Sequence, residues 1–133
     1  MHRFTVDTRT ACELIDITKN IQGIVDSCGI ADGLCCIFVP HTTAAVTINE
    51  NADPDVQVDI LQGLDAAVPL TAGYRHTEGN SAAHIKASLM GSSQTVVVEG
   101  GKIALGTWQS IFFCEFDGPR KRQIWIAFAT ALP

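Results

Sequence analysis

The sequence predicts one α+β domain with a mostly antiparallel β-sheet and about three helices. The chain has 133 residues, of which 47% are hydrophobic and 17% are charged, so it can build one packed core. Most apolar runs are short and strand-like, whereas three longer segments have helical spacing and residues that start or stop helices. We therefore expect a single domain over residues 1–133.

The first half of the chain predicts a hairpin, a helix and two further strands. Strands are expected at residues 3–8 and 12–18, followed by a helix that Thr18 caps and Gly29 ends. One face of this helix carries Ile21, Ile24, Val25 and Cys28. The apolar runs 34–39 and 44–48 predict two more strands, joined by a short connection after Pro40.

The second half predicts two helices followed by strands. Asp53, Pro54 and Asp55 are typical of a helix start, because they supply a capping carboxylate, a proline in the first turn and a further acid. Asn80 or Ser81 is expected to cap the third helix, which ends at Gly91. Strands are expected at residues 95–98, 103–105, 108–116 and 123–129.

Composition excludes several classes of function. The net charge is −5, and the single basic cluster at residues 120–122 is too small for a nucleic-acid surface. No apolar run approaches the ~20 residues of a membrane span, and the start lacks the apolar core of a signal peptide, so we expect a cytoplasmic protein. The five cysteines form no C-x-x-C pair, which favours free buried thiols over a zinc–thiolate site or disulfides.

Histidines are the sharpest candidates for chemistry. His41, His76 and His84 lie in three polar blocks beside apolar runs, and neutral imidazoles are common metal ligands and proton carriers. Their spacing matches no local metal motif, so a shared three-histidine metal site depends on the fold to bring them together. A single histidine of this kind is more often a hydrogen-bonded structural residue.

Other polar residues have both structural and functional interpretations. Glu50 suits a general base, a magnesium-linked carboxylate or a surface salt bridge. Trp108 could stack on a planar ligand to which Gln109 hydrogen-bonds, or Trp108 could pack in the core. The paired N–H donors of the Arg120 guanidinium suit a phosphate or a carboxylate. Glu115 lies in a strand that is apolar on both faces, so its carboxylate needs a partner or a ligand.

Several long motifs, in order, resemble the YjbQ family. They are HTTAAVTINEN with DPDV, HTEGNSAAH, SSQTVVVEGGKIALGTWQSI and EFDGPR, and they cover about residues 41–122. The resemblance implies a compact α+β domain, a homotrimer and a pocket near subunit boundaries where the histidine segments meet. It also implies a thiamine-phosphate synthase, which joins hydroxymethylpyrimidine diphosphate to a thiazole phosphate and releases pyrophosphate.

The expected function is therefore a small-molecule enzyme of that synthase type, acting on a phosphorylated substrate with a divalent metal. Three histidines fit Zn²⁺ better than Mg²⁺, which prefers oxygen ligands. The alternatives are a metal-dependent hydrolase with a three-histidine site, and a noncatalytic trimer that binds a small anion or metabolite. The expected catalytic residues are His41, Glu50, His76, His84 and Arg120, with His41, His76 and His84 as metal ligands. The expected substrate-binding residues are Thr42, Asn49, Asn51, Trp108, Gln109 and Glu115.

Overall fold

The computed structural model describes residues 1–132. Eight strands form two sheets, and three helices pack with them. The elements are β1 (His2–Asp7), β2 (Glu13–Asp16), α1 (Thr18–Cys28), β3 (Gly33–Phe38), β4 (Ala44–Glu50), α2 (Pro54–Ala67), α3 (Ser81–Met90), β5 (Ser93–Glu99), β6 (Lys102–Ala104), β7 (Gln109–Glu115) and β8 (Lys121–Thr130). The strand pairs are antiparallel. The predicted fold class and helix number are confirmed.

The two sheets pack face to face around the main core. The large sheet has the order β1-β8-β3-β5-β6, and the small sheet has the order β2-β7-β4. Alternation along each strand decides which side chains enter the core: Cys35 and Ile37 of β3 are buried, whereas Leu34, Cys36 and Phe38 are exposed. The buried set also takes residues from α1 and the small sheet, including Ile21, Val25, Val46, Ile111 and Phe113.

Helix α1 ends as predicted but begins differently. Gly29 adopts a left-handed conformation with φ 70° and donates its N–H to Val25 O, which ends the helix. The prediction that Thr18 caps this helix is wrong, because Ile17 occupies the cap position and Thr18 is already helical. The Thr18 hydroxyl instead accepts the Ile111 N–H at 2.9 Å and ties α1 to β7.

The remaining two helices lie on the outer side of the small sheet. Asp53 accepts the Asp55 N–H at 2.9 Å, which confirms the predicted start of α2. Asn80 occupies the cap position of α3 but its Oδ1 accepts no capping bond, and its Nδ2 donates to Asp117 Oδ2 at 2.9 Å. A second apolar cluster holds the helices against the sheet and includes Ala45, Ala83, Ala87, Cys114 and Phe116.

The five thiols are free, as predicted, but not all of them are buried. Cys28 is exposed in the last turn of α1, and Cys36 is exposed because it points away from the core side of β3. Burial raises the pKa of Cys35 to about 11 and that of Cys114 to about 12. No helix in the described part of the chain is long and apolar enough to cross a membrane.

One face of the large sheet is apolar and exposed. Leu34 is 46% exposed, Phe38 is 38% exposed and Val97 is 51% exposed. The rings of Phe38 and Trp125 lie side by side, with centroids 5.8 Å apart, and Arg3 lies over the Trp125 ring. We call these residues, together with Cys36, the outer sheet face.

Candidate functional site

A buried ion pair joins the two sheets and forms the floor of the candidate site. Glu115 of β7 is 0% exposed and Arg122 of β8 is 3% exposed. The Arg122 guanidinium donates to both carboxylate oxygens of Glu115, with a distance of 2.8 Å from Nε to Oε2, and also donates to Thr43 Oγ1 at 2.8 Å. Thr8 Oγ1 and the Asp117 N–H complete the set of donors to the carboxylate.

Glu115 is ionised in this setting. Burial by itself raises the pKa of a carboxyl group, but hydrogen bonds from Arg122, the Asp117 N–H and Thr8 outweigh burial and hold the pKa of Glu115 below its usual range. The chain also passes closely over this carboxylate, since a Cβ at Gly118 would lie 2.8 Å from Cγ of Glu115. The partner that the sequence required for Glu115 is therefore Arg122, and Glu115 holds the floor of the site rather than lining its cavity.

Above the floor lies an open cleft where β3 ends, β4 and β5 begin and the 117–120 turn leads into β8. It has two adjoining cavities of about 580 and 400 Å³ that share His41, Thr42 and Ser92. Arg120 and Arg122 line the first cavity, and His84 lines the second. We call these joined cavities the His41 cleft.

His41 has a fixed role in hydrogen bonding. Its Nε2 accepts the Gln123 N–H at 2.9 Å, so the neutral ring carries its proton on Nδ1. Burial, followed by the nearby Arg122 charge, lowers the pKa of His41, which keeps the ring neutral at neutral pH. A metal ion on Nδ1 would move the proton to Nε2 and break the bond with Gln123, so this arrangement disfavours His41 as a metal ligand.

The other two histidines lie together at the edge of α3. The rings of His76 and His84 are perpendicular, with centroids 5.4 Å apart, and His76 Nε2 is 3.8 Å from Glu78 Oε2. Among residues 1–132, no group of three or more His, Cys, Asp or Glu side chains is arranged to hold a metal ion. The described chain therefore does not by itself assemble the predicted three-histidine metal site.

The lining of the His41 cleft is rich in hydrogen-bond donors. Arg120 is half exposed and donates to Asp117 Oδ2 at 3.0 Å, and Thr42 and Ser92 present exposed hydroxyls. Among the described residues, no carboxylate lines either cavity of the cleft. Each guanidinium has a carboxylate partner, Glu115 for Arg122 and Asp117 for Arg120, so the cleft is distinguished by its hydrogen-bond donors rather than by net charge.

Five of the predicted site residues lie at the other end of β4. Strand β4 begins beside the cleft at Ala44 and ends at Glu50, and seven residues at ~3.3 Å each place its far end ~20 Å away. There Glu50 pairs with Gln109, and Trp108 is 63% exposed. The five residues of this far end are Asn49, Glu50, Asn51, Trp108 and Gln109.

Local structure explains part of this second group. Asn51 donates to Asp16 Oδ2 at 2.7 Å, which ties the end of β4 to the end of β2, and Gln109 Oε1 accepts the Gly106 N–H at 2.8 Å, which stabilises a turn. The structure thus brings together His41, Thr42, His84 and Arg120, with His76 beside His84, but separates them from the Glu50 end of β4 within one chain.

Sequence reasoning missed Arg122, Thr43 and Ser92. A usable signal existed for Arg122, because it alternates with Ile124 and Ile126 on the inward face of β8. A cation at an inward position, together with an unpaired carboxylate in the neighbouring apolar run, predicts a buried ion pair. Ser92 lies in a short connection after α3 and gives no comparable signal.

Comparison with known proteins identifies the family. Residues 2–131 match the family model described as "UPF0047 protein YjbQ-like". The chain belongs to this YjbQ family. The UPF0047 protein YugU of Bacillus subtilis is 51% identical over 122 residues, which are 91% of this chain and 92% of YugU. A UPF0047 protein of Methanocaldococcus jannaschii is 48% identical over 126 residues, which are 95% of this chain and 91% of that protein.

Solved YjbQ structures have the same fold. A crystal structure of an uncharacterized conserved protein of the YjbQ/UPF0047 family from Clostridium acetobutylicum superposes with a TM-score of 0.95 at 52% identity and covers 97% of this chain and 100% of that one. A YbjQ-like protein of unknown function from Sulfolobus solfataricus gives 0.93 at 35% identity, covering 98% and 96%. The implied thiamine-phosphate synthase function is corrected here, because these relatives are named only as UPF0047, uncharacterized or of unknown function and none points to that activity.

Proposed function

We propose that this YjbQ protein binds a small molecule through an oxyanion group, a phosphate or a carboxylate, in the His41 cleft. The observation that carries the proposal is the lining of the cleft, which contains two guanidinium groups and no carboxylate among the described residues. Because Glu115 and Asp117 compensate the two guanidinium charges, the excess of hydrogen-bond donors in this lining, rather than a net positive charge, favours an oxyanion as the ligand.

Each lining group has a distinct part in this binding. Arg120 is half exposed and bonds to Asp117 through Nε and Nη2, which leaves its Nη1 to donate to the ligand. The Arg122 guanidinium is held in the floor by Glu115 and Thr43. The hydroxyls of Thr42 and Ser92 donate from the rim. Because Nε2 of His41 is engaged by Gln123, the ring can only donate through Nδ1, which suits an oxygen acceptor.

Nuclear magnetic resonance titration with inorganic phosphate, and separately with acetate, tests the proposal. We expect saturable shifts of the Thr42 and Ser92 amides, and the stronger of the two anions identifies the group. The variant Arg120→Gln should weaken binding about tenfold, because it removes one charge-assisted hydrogen bond. The control Arg9→Gln removes the same charge from an exposed site outside the cleft and should leave binding unchanged.

Two further variants separate the roles of the His41 ring. His41→Gln places an acceptor near the Gln123 N–H but has no donor at the position of Nδ1, because its amide N–H groups lie at the end of the side chain, whereas His41→Ala removes both the acceptor and the donor. Both should weaken anion binding, and only His41→Ala should also lower thermal stability. Absence of saturable shifts with both anions, or equal weakening by Arg120→Gln and Arg9→Gln, would contradict the proposal.

A divalent metal is a second candidate, favoured by the pair His76 and His84. Their perpendicular rings, 5.4 Å apart, allow two imidazole nitrogens to approach one ion, which would be Zn²⁺ rather than Mg²⁺. The expected result is stoichiometric zinc uptake that His84→Ala abolishes, measured by mass spectrometry of the native protein. Protein that takes up no zinc on titration rules this candidate out.

Two further expectations stay predictions: that the protein is an enzyme, and that it is cytoplasmic.

We further propose the homotrimer that the family resemblance implies. The outer sheet face exposes Leu34, Phe38 and Val97, and burial of such apolar side chains drives association. Phe38 also lines the His41 cleft, so a subunit on this face would border the cleft. Light scattering in solution should give three times the chain mass of 14.2 kDa.

A further inference from the structure

A second cavity lies on the other side of the 117–120 turn, between α2, α3 and the end of β7. Its volume is about 340 Å³, and its lining includes Cys12, Asn80, Ala83, Lys86 and Phe116. It shares no lining residue with the His41 cleft. We call it the Lys86 cavity.

Lys86 is a buried cation with spare donor capacity. Its side chain is 7% exposed, although lysine is almost never buried without a reason. The ammonium group donates to Asp65 Oδ1 and lies 6.0 Å from the centre of the Phe116 ring. An ammonium group has three N–H donors, so two remain for an acceptor inside the cavity.

Asn80 supplies an unsatisfied acceptor on the same helix. Its Nδ2 donates to Asp117 Oδ2 at 2.9 Å, which fixes the orientation of the amide. Its Oδ1 is buried and, within residues 1–132, has no hydrogen-bond partner. A buried acceptor without a donor costs ~1–3 kcal/mol, so this oxygen favours a ligand that brings an N–H or O–H group.

The two groups face a common space. Asn80 and Lys86 both line the Lys86 cavity, and they lie six residues apart, about 9 Å along the helix axis at ~1.5 Å per residue. The walls between them are apolar, formed by Ala82, Ala83 and Phe116. The Lys86 charge is balanced by Asp65, and the Asp117 charge by Arg120, so the site favours a neutral ligand.

We propose that the Lys86 cavity is a second ligand site, which binds a small planar amide, a primary carboxamide or a lactam. The carbonyl of the amide accepts from Lys86 Nζ, its N–H donates to Asn80 Oδ1, and its apolar part packs on Phe116. This site is separate from the anion site of the His41 cleft. Asp117 connects the two, because its Oδ2 accepts from Asn80 on one side and from Arg120 on the other.

Benzamide is the probe, and N,N-dimethylbenzamide is the matched control because it keeps the ring and the carbonyl but has no N–H. On the wild-type protein, benzamide should cause saturable shifts of the Ala82, Ala83 and Phe116 amides, measured by nuclear magnetic resonance. The dimethyl compound should bind at least tenfold more weakly, since it leaves Asn80 Oδ1 without a donor.

Two variants test the part of Lys86. Lys86→Met keeps the stem and removes the ammonium group, and it leaves Asp65 with a 65% exposed side chain, so no buried charge is stranded. It should weaken benzamide binding about tenfold, whereas Lys102→Met, the same change on exposed β6, should not.

Three results would overturn the proposal. The first is the absence of saturable benzamide shifts, which would mean that the cavity holds only water. The second is equal binding of the two benzamides, and the third is unchanged benzamide binding in Lys86→Met. If Lys86→Met does not fold, the comparison of the two benzamides on the wild-type protein still decides. Phosphate binding in the His41 cleft shifts a different set of amides, so success or failure at one site is read independently of the other.

Discussion

Glu115 and Arg122 are both buried, so each charge is tolerated only because the other is present. Removing one partner of such a pair leaves an uncompensated buried charge, which costs about 3–5 kcal/mol. We therefore expect Glu115→Gln to lower the free energy of unfolding by about that amount in urea denaturation. The exposed control Glu99→Gln should change it by less than about 0.5 kcal/mol. Equal effects of the two variants would show that the pair contributes no special stability.

The same carboxylate predicts how stability depends on pH. The pKa of Glu115 is lower in the folded protein than its unfolded value of about 4.3, so its contribution is fully present above that pH. The contribution is lost as pH falls through the folded pKa. Urea denaturation at a series of acid pH values should therefore show a steeper loss of stability in the wild type than in Glu115→Gln. Parallel curves would contradict the assignment.

Single residues were predictable from sequence where local chemistry determined them. Asp53 caps α2 and Gly29 ends α1 because each acts on neighbours within four residues. Glu115 could be recognised as needing a partner, but the identity of that partner could not be deduced, since Arg122 reaches it only through the packing of two sheets. Asn80 was expected to cap a helix, and instead bonds to a residue 37 positions away.

At the scale of elements, the start of α2 gives a clean test. Asp53→Ala removes the acceptor of the Asp55 N–H and should lower the free energy of unfolding by about 1 kcal/mol, or the melting temperature by roughly 2–4 °C. Asp53→Asn keeps an acceptor at the cap and should cost much less. Asp59→Ala, in the exposed middle of the same helix, is the control for charge. Calorimetry that finds Asp53→Ala and Asp59→Ala equivalent would contradict the capping role.

The order of elements followed from the sequence, but their arrangement did not. Each strand and helix has its own periodic pattern, which makes its type and approximate position readable. Nothing local places β7 between β2 and β4, or divides eight strands into two sheets. For this reason the polar blocks were expected to form one site, whereas His41 precedes the first residue of β4 and Glu50 is its last, so they lie at opposite ends of this strand.

At the scale of the whole molecule, two exposed cysteines report on assembly. Cys36 lies on the outer sheet face and Cys28 lies at the end of α1. If the proposed trimer covers the outer sheet face, native protein should react with a thiol reagent at Cys28 well before Cys36. Mass spectrometry of the labelled peptides measures both rates.

A variant that breaks the assembly completes this test. Leu34→Lys places a charge on the outer sheet face, two residues from Cys36 on the same strand, and should both reduce the molar mass in solution and make Cys36 as reactive as Cys28. Val58→Lys, at a similarly exposed apolar site on α2, should change neither. Equal labelling of the two cysteines in a wild-type trimer would place the interface elsewhere.

The buried ion pair also limits how ligand preference in this family can change. Arg122 supports the cleft and fastens the two sheets, so altering it to suit a new ligand would at the same time weaken the fold. The side chains of Arg120, Thr42 and Ser92 are exposed at the rim and do not join the two sheets. Divergence in specificity, whether by natural selection or by engineering, should therefore concentrate at the rim while the floor stays fixed.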